Sequence, residues 1–244
     1  MMRITGGENE MQTIISAAVY DLKTPLTLIR GLNDLMNSGK LDKKSHDLYV
    51  SRIATSVDQM QRIIDTISSL DKIIAKQQSL PIEPVNICQV VEEVAHQLDS
   101  CARDYNQKLI IKHGRTSAVV LSNKQALESV VYGLVDNAIK YSTPNSNILI
   151  RPSLASRRGF TRLTVRDKTV GVRKSDISRI MKTLGQTSSP NPAYGSNSGL
   201  GLYATMRLVE SLNGAVGVKP VPGGSSFFVE LPIAQQLSLY LPKS

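Results

Sequence analysis

Two runs of apolar residues recur at spacings of four and three, and a short polar stretch separates them. In the first, Ile15, Val19, Leu22, Leu26, Ile29 and Met36 follow steps of four, three, four, three and seven. In the second, Tyr49, Ile53, Val57, Met60, Ile64 and Ile67 keep to the same two steps. A repeat of about 3.5 residues is the seam of an α-helix that packs against another helix. Each run therefore predicts a long amphipathic helix. Asn37, Ser38 and Gly39 break the first, and Asp42 offers a side-chain oxygen suited to cap the second. The pair reads as an antiparallel hairpin, which by itself leaves much of both apolar stripes unburied. Pairing two copies into a four-helix bundle covers them, so a homodimer is expected. Periodicity alone is also met by a coiled-coil spacer that does no chemistry.

The segment after Lys76, QQSLPIEPVN, carries two prolines that stop a helix and mark a linker. The chain divides there into a helical unit at 9–77 and a second unit at 83–236. In the second unit the pattern predicts helices over Ile87 to Asp104, Lys124 to Lys140 and Gly201 to Leu212. Strands are predicted at Lys108 to Lys112, Ala118 to Leu121, Asn147 to Pro152, Arg162 to Arg166, Ala215 to Lys219 and Phe227 to Leu231. Gly223-Gly224 reads as the turn of a terminal hairpin. The expected class is α+β, a helical hairpin followed by an α/β sandwich.

At 244 residues and 41% hydrophobic content, both units can bury cores of their own. No apolar run of 18 or more residues spans a bilayer, and MMRITGGENEMQ lacks the apolar core of a secretion signal. A cytoplasmic chain without a membrane segment is expected. Cys88 and Cys101 fall on one predicted helix, about 20 Å apart at 1.5 Å per residue, so they cannot pair there. The net charge of +9 is scattered and no stretch alternates aromatic with basic residues, which argues against a nucleic-acid partner.

Chemistry concentrates in three places. Residues 135 to 142, VDNAIKYS, put a carboxamide, an ammonium and a phenol near a helix end, with Asn137 and Tyr141 on one face at i and i+4. A carboxamide oxygen suits Mg²⁺, which keeps several waters and bridges to nucleotide phosphates. Lys140 adds positive charge for phosphate, and the Tyr141 ring can lie against a purine. Asp167 opens D-x-T-x-G, ending at Gly171, at the close of a predicted strand, where a carboxylate can accept an adenine amino group. Ser198-Gly199-Leu200-Gly201-Leu202 then opens a helix, where glycines let backbone amides approach phosphate.

The ordered set NAIKYS, D-x-x-x-G and SGLGL resembles the ATPase domain of the histidine kinase, gyrase and Hsp90 superfamily. With the upstream hairpin, the chain resembles sensor histidine kinases of two-component systems over about residues 11 to 232. The resemblance implies ATP and Mg²⁺ as cofactors and a response-regulator receiver domain as partner. It makes Asn137 the magnesium ligand, Lys140 and Tyr141 nucleotide contacts, and Asp167 the residue that reads adenine. It makes Gly171, Gly199, Leu200 and Gly201 nucleotide-binding residues, with Gly199 and Gly201 the glycines at the end of an ATP lid running from about Val172 to Ser198. In the hairpin, VYDLKTPL at 19 to 26 resembles the phosphoacceptor box S-H-E-L-R-T-P-L, with Tyr20 in the place of the histidine. Asp21 matches the acid that activates the histidine, and Thr24 matches the residue that orients water in dephosphorylation of the regulator.

The departures bear on activity. A phenol with a pKa near 10 lacks the readiness of a neutral imidazole with a pKa near 6.5, so ordinary histidine autophosphorylation is expected to be lost. The remaining histidines, His46, His96 and His113, all lie outside the box. Gly133, Thr169 and Asn197 stand where the family has an asparagine and two loop glycines, and only Met181 and Leu184 replace its aromatic lid anchor. A left-handed conformation at Thr169 costs roughly 1–2 kcal/mol. Two readings follow: a degenerate kinase still able to bind nucleotide and dephosphorylate a regulator, or a pseudokinase scaffold without turnover.

Overall fold

The computed structural model describes residues 5–38, 42–74, 81–114, 119–168 and 199–234. Helices α1 (Thr5–Asn37) and α2 (Lys43–Ile74) form the hairpin. The second unit runs β1 (Glu83–Asn86), α3 (Ile87–Asp104), β2 (Lys108–Ile111), β3 (Val119–Ser122), α4 (Lys124–Tyr141), β4 (Asn147–Leu154), β5 (Phe160–Arg166), α5 (Leu200–Ser211), β6 (Ala215–Val221) and β7 (Gly224–Pro232).

Local chemistry sets the boundaries. Asp42 Oδ1 accepts the Ser45 N–H at 2.9 Å, capping α2 as its sequence position suggests. Asn86 takes the N–H groups of Cys88 and Gln89 to start α3, and Asn123 takes that of Ala126 at 3.0 Å to start α4. Helix α1 begins at Thr5, before the first seam residue Ile15, and runs without interruption through Pro25.

One expectation needs correction. The proline-containing linker ends sooner than its composition suggests, because Glu83–Asn86 pairs antiparallel with Val119–Ser122. Pro84 sits opposite Leu121 in a two-stranded ribbon, where half the N–H groups face away from the pair and a missing donor costs little. The single hairpin leaves much of the predicted stripe open, as expected for a hairpin taken alone. Ile14, Ala18, Pro25 and Leu32 are the buried positions among the described side chains of α1, whereas Ile15, Val19 and Leu26 stay about half exposed at 48, 50 and 55%.

The main sheet has the order β2-β4-β5-β7-β6, with β2 parallel to β4 and every other pair antiparallel. Helices α3, α4 and α5 pack on one face, and Val91, Leu98, Leu127, Leu134, Ile148, Ile150, Leu163 and Leu231 fill the space between the layers. A second buried cluster joins the two units: Ile14, Ala18 and Leu70 of the hairpin meet Leu200 and Ala204 of α5.

Candidate functional site

Helix α4 turns Leu127, Val130, Val131, Leu134, Ala138 and Ile139 into the core, which leaves Tyr132, Gly133, Asp136, Asn137, Lys140 and Tyr141 along its half-buried side. Its C-terminal end is tied to the end of β5. Thr143 N and Oγ1 both donate to the Lys168 carbonyl, at 2.9 and 3.2 Å, and Lys168 N donates to Ser142 Oγ at 3.4 Å. The turn bearing Asn137 and Tyr141 is thereby fixed beside the strand end bearing Asp167.

Asp167 is 4% exposed, and its Oδ1 accepts the Ser225 N–H at 2.7 Å while its own N–H donates to the Ser225 carbonyl at 3.0 Å. The bond from Ser225 N–H offsets part of the cost of burying this side-chain oxygen. Gly224 makes this approach possible, since a Cβ there would overlap the Asp167 carbonyl oxygen.

Gly199, in the left-handed region at φ 79°, is the residue that admits the chain into α5. The first turn of α5 lies over α4, because a Cβ on Gly133 would stand 2.5 Å from Thr205 Oγ1 and 3.4 Å from the Gly201 carbonyl oxygen. Asn137, Lys140, Tyr141, Asp167, Gly199 and Gly201 are thus held on three elements tied to one another: the end of α4, the end of β5 and the start of α5. Asn137 has no hydrogen-bond partner among the described residues, so its carboxamide is available to a hard cation or a phosphate-bound water. The donor chemistry fits a magnesium nucleotide. Leu200, by contrast, turns its side chain into the cluster with the hairpin and is 2% exposed. Gly171, Thr169, Met181, Leu184, Asn197 and the Val172 to Ser198 loop lie outside the described residues.

Lys140 is engaged by protein groups. Its Nζ lies 2.7 Å from Asp136 Oδ2, at 27% side-chain exposure. Burial pulls the ammonium pKa down, but Asp136, with Asp21 of the hairpin adding to it, outweighs burial and holds it above the ordinary lysine value. Beside it, the Arg62 guanidinium of α2 sits 4.4 Å from the centroid of the Tyr132 ring. Burial and then Asp136 push the Tyr132 phenol up. Sequence reading missed Arg62, Tyr132 and Asp136, although the i, i+4 series Tyr132, Asp136, Lys140 was there to signal a shared face.

On α1, Tyr20 is 42% exposed and lines an open groove with Lys23, Thr24, Thr27 and Leu28. Tyr20 and Thr24 share that surface, as their i, i+4 spacing requires. Asp21 faces the other way and acts on Lys140. None of the histidines stands on α1: His46 is on α2, His96 on α3, and His113 follows β2 with Nε2 3.3 Å from Glu92 Oε1.

The architecture is a two-helix hairpin followed by an α/β sandwich with a mixed sheet. Residues 10–76 match the His Kinase A (phospho-acceptor) domain, and residues 122–235 match the Histidine kinase-, DNA gyrase B-, and HSP90-like ATPase. Together the two matches span most of the chain and support a histidine kinase catalytic core of the two-component family. It is 28% identical over 229 residues to the sensor histidine kinase YclK of Bacillus subtilis, covering 93% of this chain and 47% of that protein. The chain spans less than half the length of the first such relatives. Full-length ShkA in complex with AMPPNP has the same fold at a TM-score of 0.61 and 23% identity, over 91% of this chain and 46% of that one. The histidine kinase ThkA in complex with the response regulator TrrA matches at 0.60 and 15% identity, over 95% of this chain and 65% of that one. No helix among the described residues is long and apolar enough to cross a membrane.

Proposed function

We propose that this chain binds ATP with Mg²⁺ in the pocket between α4, β5 and α5, and docks a response-regulator receiver domain on its hairpin. Tyr20 takes the place of the phosphoacceptor histidine, so ordinary histidine autophosphorylation is lost. The observation that carries the reading is the tying of Asn137, Tyr141, Asp167 and the α5 glycines to one end of the sandwich, through the Thr143–Lys168 and Gly133–Thr205 contacts. Bound magnesium would neutralise phosphate charge there, held through Asn137. Asp167 would accept the adenine amino group, Tyr141 would cover the ring, and backbone amides at Gly199, Leu200 and Gly201 would face phosphate.

On the hairpin, Thr24 in the open groove beside Tyr20 supports phosphatase-type action without Asp21, which acts on Lys140, because lining up water with an aspartyl phosphate needs positioning more than a strong base. Thr24→Ala should then abolish dephosphorylation. The half-exposed stripe of Ile15, Val19 and Leu26, with Val57 and Ile64 at 51 and 45% exposure, suits a second copy of the hairpin in a homodimer. The units divide at 9–77 and 83–236, and the chain works in the cytoplasm.

Tyr20→His tests the reading. With labelled ATP the variant should gain acid-labile phosphate at position 20, whereas wild type should not. A folded, dimeric variant that stays unlabelled would favour a second reading, a scaffold without turnover. Engagement of Lys140 by Asp136 and Asp21 supports that reading, since it withdraws a cation from phosphate.

A further inference from the structure

The loop between α3 and β2 holds a polar side chain that neither ATP nor a regulator would touch. Gln107 is 2% exposed and reaches across to the far end of α4. Its Nε2 donates to the Ile139 carbonyl at 3.0 Å and to the Ser142 carbonyl at 3.1 Å. Its Oε1 is buried and has no hydrogen-bond partner among the described residues. The loop is itself pinned: Asn106 takes a left-handed φ of 54°, Gln107 N donates to the Ala102 carbonyl at 2.9 Å, and Lys108 N donates to the Ser146 carbonyl at 3.0 Å.

An α-helix leaves its last carbonyls unbonded, and a left-handed glycine after the helix is a common remedy. Helix α4 has none. Its cap residue Ser142 is extended, at φ −71° and ψ 149°, and its N–H returns to the Ala138 carbonyl at 3.0 Å. The carbonyls of Ile139 and Ser142 are answered by the Gln107 amide instead. A neutral carboxamide supplies two N–H donors from one nitrogen without burying a charge, which neither an apolar side chain nor a lysine can do. That donation is retained although the same side chain buries an unanswered oxygen, so the two bonds to α4 are what the residue contributes. The turn they fix is the one that carries Asn137, Lys140 and Tyr141.

We propose that Gln107 is a positioning residue of the nucleotide site, its two amide hydrogens holding the last turn of α4 so that Asn137 and Tyr141 stand where magnesium nucleotide meets them. The proposal rests on the reading of α4 as the nucleotide-bearing helix. It assigns Gln107 no contact with nucleotide. Groups that orient a ligand residue typically change metal affinity about 10- to 100-fold when removed.

The test uses the full chain as wild type, Gln107→Met and Gln107→Glu. The first readout is amide hydrogen exchange. In Gln107→Met the Ser142 amide and its neighbours should exchange at least about tenfold faster, while α3 and β4 keep wild-type protection. The second readout compares affinity for AMPPNP with Mg²⁺ against affinity for adenosine without it. Gln107→Met should lose about tenfold on the first and clearly less on the second, because adenosine keeps its Asp167 contact on another element and loses only the support of Tyr141. General loss of folded protein would lower both alike. Gln107→Glu keeps the proposal testable if the methionine variant fails to fold. When protonated it still donates one bond, so its magnesium-nucleotide affinity should fall as pH rises and the carboxylate comes to face two carbonyl oxygens, while wild type stays flat.

A folded Gln107→Met chain with wild-type exchange in the last turn, or with an unchanged ratio of the two affinities, would overturn the proposal. Wild type that binds no nucleotide while Gln107→Met loosens the α4 end would instead overturn the nucleotide reading and the positioning role with it, leaving only a helix anchor.

Discussion

Gly133 and Thr205 face each other so closely that a methyl group on Gly133 would stand 2.5 Å from Thr205 Oγ1. That hydroxyl also donates to the Gly201 carbonyl at 2.9 Å, so the contact sets how near the start of α5 comes to the side of α4 that bears Asn137. The absence of a side chain at residue 133 is what lets the two helices meet.

Gly133→Ala should therefore destabilise the chain by about 1–3 kcal/mol through overpacking. Thr205→Ala in the same chain should recover part of that loss, since it removes the obstructing oxygen. A urea-unfolding double-mutant cycle measures the coupling. Strict additivity would mean that the helices are held apart by something else.

Leu70, 0% exposed, closes the cluster that joins the hairpin to Leu200 and Ala204, and Arg62 braces the same junction against Tyr132. Leu70→Ala should cost about 2–4 kcal/mol. Combined with Arg62→Ala, it should let the units separate, seen as a larger radius of gyration in small-angle scattering with the helix signal intact. An unchanged radius would place the junction's strength elsewhere.

Two adjacent glycines should respond differently to alanine. Gly223 has φ +72° with open space around it, so Gly223→Ala carries only backbone strain, about 1–2 kcal/mol. Gly224→Ala drives a methyl into the Asp167 carbonyl oxygen and must move the backbone that holds the carboxylate. It should be the more destabilising of the two in thermal unfolding and should alone weaken nucleotide binding.

Alkaline pH should loosen the fold. Burial, with Asp136 adding to it, pushes the Cys101 thiol up to about 11, and Tyr132 and Lys140 are shifted in the same direction. Groups raised in the folded state stabilise fully below their unfolded values and lose that contribution as pH climbs through the folded ones. Stability should thus fall from about pH 9 to pH 11, by up to about 1.4 kcal/mol per pH unit from Cys101. Cys101→Ala should flatten that limb in denaturant titrations, and an unchanged slope would remove the thiol from the balance.

Much of the fold was legible in the sequence because its signals are local. Asp42 marked the start of α2, and the predicted start of α3 at Ile87 and of α4 at Lys124 are those observed. Strand β1 was hidden because its partner, Val119–Ser122, is remote in sequence and its own Pro84 reads as a breaker. Motif order gathered Asn137, Tyr141 and Asp167 into one region, since the end of β5 and the residues after α4 meet through the Thr143–Lys168 backbone bond. What stayed out of reach were contacts between distant segments. Leu200 against Leu70, Asp21 acting on Lys140, and Gln107 reaching Ile139 depend on how elements pack, which no spacing encodes.

Calorimetric titration of the folded 244-residue chain with AMPPNP and Mg²⁺ tests the pocket most directly. One equivalent should bind per chain, and Asn137→Ala and Asp167→Asn should each weaken binding by about tenfold or more, the loss of a charge-assisted contact. Absence of binding heat up to about millimolar ligand, a limit of about −4 kcal/mol, or binding indifferent to both substitutions, would contradict a nucleotide site between α4, β5 and α5.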